Sequence, residues 1–234
     1  MTEWHQVTQR FQLNKIKEMS ETELKDMAWD KERIDTLIIN TLKNVNETLN
    51  FENISVTILP AFPFSYLKKQ PQKYWSNAFT NGPGNIFIAI PPEADEEFFQ
   101  YLLAHECHHA SPDNPIYNLS LDKFTLEEWY KMEGTAELFS LSLYPDKRWW
   151  KDLFTEEAER LYWEKCKRHL KTTDDRVKSK LCFGSEEENI PVFSGYSFAY
   201  NVISKYAASN EIADIKELFN IEPEEYFEFY VKNA

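Results

Sequence analysis

Glycine is scarce in this chain, with only five in 234 residues, and cysteine is scarcer still, with three. Few glycines and long amphipathic stretches make helix the dominant expectation. Cys107, Cys166 and Cys182 are odd in number and widely spaced, which fits reduced thiols and excludes a disulfide framework. Basic residues fall short of acidic ones, 26 against 39, for a net charge of −13. Such a surface repels phosphate backbones, so nucleic acid is excluded as a partner. No run approaches the roughly 18 apolar residues of a membrane-spanning helix, and no membrane association is expected. The opening Met-Thr-Glu-Trp-His-Gln lacks the basic-then-apolar order of a secretory signal, so the chain reads as cytoplasmic, in agreement with its thiols.

Apolar residues make up 42%, with 7 Trp, 12 Tyr and 17 Phe, which marks a globular protein with an ample core. The length suits one or two domains. We expect an N-terminal helical region over residues 1–50 and a catalytic domain over 51–234, together forming a single unit.

Ser20 and Glu23 have the form of a capping box, and Ile34, Leu37, Ile38, Leu42 and Val45 follow at helical spacing. Ile54–Leu59 and Asn85–Ile90 read as strands, the second following Asn81-Gly-Pro-Gly84. Residues 60–80 carry several prolines and aromatics without clear periodicity and read as loop with room for a short helix or strand. Asp95 can cap a helix ended by Pro112, and Thr125 with Glu128 can open another through Leu143. A long charged helix is expected over 146–171, and two final helices over 190–208 and 211–231. The fold class is α+β, predominantly helical.

Residues 105–109 read His-Glu-Cys-His-His, which contains the H-E-x-x-H pattern as His105, Glu106 and His109 within a helix. At about 100° per residue the two histidines lie about 40° apart on one face and can share a metal ion. Glu106 and His108 flank that axis, each roughly 80° away, while Cys107 points to the opposite side and belongs to the core. A catalytic zinc takes three protein ligands and leaves one position open. Glu133 and Glu137, one turn apart in Met132-Glu-Gly-Thr-Ala-Glu137, supply the third ligand and a carboxylate that accepts a ring N–H from a ligand histidine. We assign Glu133 as ligand and Glu137 as support; the exchange of these roles is the alternative. Gly134 costs a helix about 1 kcal/mol relative to alanine, which points to a close helix approach.

His105-Glu-Cys-His-His109, Glu133-Gly-Thr-Ala-Glu137 and Gly195-Tyr-Ser-Phe-Ala-Tyr200, followed by Val202-Ile-Ser-Lys-Tyr206, resemble the family of predicted zinc-dependent proteases called domain of unknown function 2268. That family is related in pattern to gluzincin metallopeptidases. No motif of the resemblance falls in residues 1–50. The resemblance implies a zincin-like fold, a small sheet whose edge strand is expected at Ile86–Ile90, and a peptide or protein substrate added to that edge.

The expected chemistry is amide hydrolysis with a zinc ion held by His105, His109 and Glu133. Glu106 acts as general base and then passes the proton to the leaving amine. Tyr196, Tyr200 and His108 are candidate donors to the oxyanion, with Tyr196 preferred. The alternative is a non-proteolytic zinc-binding or peptide-binding protein on the same fold; a fourth protein ligand would favour it, and the presence of Glu106 argues against it.

Overall fold

Side-chain caps set most of the helix starts. In the computed structural model, which describes residues 4–118 and 123–233, α1 spans Trp4–Arg10. The Ser20 and Glu23 capping box opens the short α2, Glu21–Asp26, and Asp30 caps the longer α3, Lys31–Leu49. Three strands follow, β1 (Ser55–Pro60), β2 (Asn77–Thr80) and β3 (Asn85–Ile90). Then comes α4, Glu96–Ala110, with Asp95 as its cap. The remaining helices are α5 (Leu126–Leu143), α6 (Glu156–Cys166), α7 (Asp175–Phe183), α8 (Ser194–Ser209) and α9 (Pro223–Asn233). This is an α+β, predominantly helical fold.

Contacts divide the chain into Met1–Pro112 with Leu143–Lys147, and Asp113–Ser142 with Arg148–Ala234. In the first unit the strand order is β1-β3-β2, with β1 parallel and β2 antiparallel to β3. Ile86–Ile90 therefore lies at the centre of the sheet and not at its edge, which corrects the expectation above. The reason is visible in the run Asn-Ile-Phe-Ile-Ala-Ile, whose unbroken apolar character suits a strand covered on both faces. One edge is β2, inside a segment that lacked any period. Residues 81–84 turn β2 into β3, with Gly82 and Gly84 at positive φ.

Cross-strand pairs fix the two faces of this sheet. Phe79 pairs with Phe87, and both pack on the cluster of Val7, Phe11, Leu59 and Ala89, so α1 covers that face. Thr80 pairs with Ile86 and Ala78 with Ile88 on the other face, where Thr80 reaches Glu106 of α4. At the far end of α4 the Gly84 amide donates to the Ala110 carbonyl at 2.9 Å. The helix stops at Ala110 with Ser111 as its C-cap, just before Pro112.

The second unit packs α5 to α9 around Trp129, Tyr130, Tyr162, Phe198, Ala199 and Tyr226, all buried. Tyr162 donates to the Leu181 carbonyl at 2.8 Å, so the 2.6 Å contact of its oxygen with Tyr130 makes Tyr130 the donor there. A Cβ on Gly134 would stand 2.6 Å from the Ala199 carbonyl, which is the close approach expected of that glycine. The helix expected over 146–171 is instead a 3-10 turn at Lys151–Leu153, then α6 capped by Thr155, then a second 3-10 turn at Lys167–His169. Likewise 211–231 splits into a 3-10 turn at Ile215–Asn220 and α9, with Pro223 at the first helical position.

Asp95 ties α4 to its surroundings, accepting from the Phe98 amide at 3.1 Å and from Lys73 Nζ at 3.0 Å. Burial pushes its carboxyl up, but the Lys73 and Phe98 bonds together outweigh burial and hold it below the usual range. Asp95→Ala should cost about 1 kcal/mol at neutral pH. Because the folded pKa is the lower one, this stabilisation is present above the unfolded value of about 3.9 and disappears as pH falls through the folded value. Urea unfolding should show the gap between native and Asp95→Ala narrowing as pH falls below the unfolded value of about 3.9.

Candidate metal centre

The last two turns of α4 are buried without interruption from Leu103 to Ala110, although they carry His105, Glu106, His108 and His109. The helical repeat brings the rings of His105 and His109 edge to face, with centroids 4.7 Å apart and Nε2 atoms 3.0 Å apart. Two nitrogens each about 2.0–2.1 Å from one tetrahedral zinc stand roughly 3.3 Å apart, so this spacing fits a shared ion. His105, His109 and Glu133 each offer one ligand atom, all within 4.8 Å of one another, and all three residues are buried. Two imidazoles and a carboxylate suit zinc chemically. This His-His-Glu group is one that could hold a metal.

Glu106 follows His105 and is 7% exposed. Its Oε2 lies 2.6 Å from Thr80 Oγ1, which also approaches the Glu106 carbonyl at 2.9 Å. A hydroxyl has one proton to donate, and the shorter contact to the carboxylate identifies its acceptor. Thr80 was not singled out from the sequence, since its partner is 26 residues away and the strand carrying it is only four residues long.

Cys107 is wholly buried, and burial, reinforced by the Glu106 charge, pushes its thiol far up, as suits a core residue on the opposite side of the helix. His108 has no exposed surface, and its ring stands edge-on to that of His109 with centroids 5.9 Å apart.

On α5, Glu133 is 7% exposed and Glu137 is fully buried. Arg148 Nη1 donates to Glu137 Oε2 at 2.6 Å, and its guanidinium lies 5.1 Å from the Tyr200 ring centroid. A buried carboxylate needs such compensation, and Arg148 supplies it. Arg148 was missed by sequence reasoning; it stands beside Lys147 and just before Trp149-Trp150, and nothing in that run separates it from an ordinary surface cation. Tyr196 is half-buried among Trp129, Phe183 and Phe193.

Arg148→Met should destabilise the fold by on the order of 3 kcal/mol in urea unfolding, because a buried charge loses its counter-ion. Arg148→Met combined with Glu137→Leu should recover most of that loss, since the charge is then removed as well.

No curated protein and no solved structure matches the chain. A family model described as "Predicted Zn-dependent protease (DUF2268)" matches residues 34–228 and takes in most of α3, upstream of the motifs that carried the resemblance. The two histidines on α4 and the glutamate-bearing α5 both fall inside that match, and the chain belongs to the DUF2268 family of predicted Zn-dependent proteases.

Proposed function

We propose that the protein is a zinc metallopeptidase, with His105, His109 and Glu133 as ligands and Glu106 as general base. The observation that carries this reading is the 3.0 Å approach of the His105 and His109 Nε2 atoms on a buried helix end, in a group whose ligand atoms, Glu133 included, lie within 4.8 Å of one another. When bound, the metal would polarise the scissile carbonyl and lower the pKa of water toward about 7.

Every other part falls to the chain. Thr80 holds Glu106 Oε2, fixing the carboxylate rotamer and leaving Oε1 to accept a proton from the attacking water. The water oxygen adds to the carbonyl carbon while the C=O π electrons move onto oxygen; when the carbonyl re-forms, the C–N bond breaks and Glu106 gives that proton to the departing amine. Tyr196 is the proposed donor to the oxyanion, and His108, without exposed surface, braces the His109 ring. Glu137, charge-balanced by Arg148, supports the metal-binding side chains.

A peptide substrate is proposed to add to the outer edge of β2, the strand that carries Thr80, in place of the edge first assigned to Ile86–Ile90. Three free buried cysteines support a cytoplasmic location. No described helix is long and apolar enough to cross a membrane.

Elemental analysis should find about one zinc per chain in native protein and in Glu106→Gln, and none in His105→Ala. Against a library of quenched peptides, Glu106→Gln should fall by roughly 10²- to 10⁴-fold in kcat. Metal bound without hydrolysis of any peptide would contradict the peptidase reading and leave a zinc-binding protein. A chain that takes up no zinc when supplied with it would contradict both.

A further inference from the structure

In the second unit, the end of α6, the 3-10 turn at Lys167–His169, the face of α7 and the loop around Glu187–Asn189 surround a cavity of about 560 Å³. Its volume falls in the range of small-molecule sites. Lys165, Arg168, His169, Arg176 and Lys180 line it, over a floor that includes Val177 and Leu181. The acidic lining is limited to Glu187 and Glu188, and both are taken by Lys180, at 3.6 and 2.6 Å.

Among the described residues, Lys165, Arg168 and Arg176 make no ion pair with a carboxylate. In a chain with 39 acidic residues, this is a concentration of one sign where the opposite sign is plentiful. Arg176 and Lys180 stand one turn apart on α7, and Lys165 and Arg168 are three residues apart. Like charges at such spacings repel, and of the four only Lys180 has a carboxylate within ion-pair distance among the described residues. The field they create inside a concave wall attracts anions.

The hydrogen bonding is arranged for an anion as well. Arg168 Nε lies 3.2 Å from His169 Nε2. Because a guanidinium only donates, Nε2 is the acceptor in this contact, which leaves Nδ1 as the ring nitrogen that can donate. Arg168 thereby commits Nε and keeps its two terminal NH₂ groups, while His169 Nδ1–H adds another donor. Two planar forks, from Arg168 and Arg176, together with the ammonium of Lys165, match the oxygens of phosphate groups.

We propose that this pocket binds a small polyanion carrying phosphate groups, independently of the metal chemistry assigned to α4. The probe is pyrophosphate, titrated calorimetrically into the full-length chain at constant ionic strength, with citrate as a carboxylate of comparable charge. Pyrophosphate should bind saturably, and more tightly than citrate. Arg168→Gln with Arg176→Gln should weaken it by roughly tenfold or more, whereas Lys69→Gln, an exposed lysine of the first unit, should not change it. Circular dichroism of each variant checks that it is folded. Absence of saturable heat, tighter binding of citrate, or equal affinity in the double variant and Lys69→Gln would each overturn the proposal. The last of these would place pyrophosphate elsewhere, a metal ion included, without touching the peptidase reading.

Discussion

Burying four polar side chains at the end of one helix is the constraint on which the first unit depends. Residues 103–110 of α4 have almost no contact with solvent, yet His105, Glu106, His108 and His109 fall among them. Each unsatisfied polar group in such a place costs about 1–3 kcal/mol, so the surroundings must supply partners. The structure meets this demand with β2, whose last residue holds the Glu106 carboxylate, and with the helical repeat itself, which turns two ring nitrogens toward each other. Lys73 bound to Asp95 at the start of α4 and the Gly84 amide at its end anchor both ends of the helix within its unit.

The second unit solves a similar problem on α5. A fully buried Glu137 is tolerable only with Arg148 against it, and Gly134 removes the side chain that would keep α8 away. Together these fix the rotation of α5 within its own unit, and so determine which way Glu133 points. Aromatic rings dominate the packing around it. Trp129, Tyr130, Trp163 and Phe198 meet edge to face or stacked, an arrangement that resists repacking because each ring has few orientations of comparable energy.

How much of this could be read beforehand depended on whether a feature is local. The caps of α2, α4 and α5, the strand Asn85–Ile90 and the His-Glu-Cys-His-His run depend on neighbours within a few residues, and the sequence states them directly. The close contact at Gly134 was legible because glycine inside a helix is costly without a reason. The position of β3 in the sheet was misread although its unbroken apolar run carried the signal. A short strand within 60–80 could be allowed for but not placed, because the four residues of β2 amid prolines and aromatics show no period, and its pairing with β3 spans a turn. Thr80 and Arg148 stayed hidden because each acts on a partner 26 or 11 residues away, at a distance no helical or strand repeat marks. The break in the charged segment 146–171 is a different case: the Thr155 cap is local, but an otherwise helical composition on both sides masks it.

X-ray absorption at the zinc edge of the purified, zinc-loaded chain tests the central claim most directly, because it counts and identifies the ligand atoms. The account predicts two imidazole nitrogens and carboxylate oxygen at about 2.0–2.2 Å, with no sulfur. His109→Ala, like His105→Ala, should retain no stoichiometric zinc. A scatterer at about 2.3 Å, the distance of a thiolate, would contradict it by bringing in a cysteine that the structure places in the core.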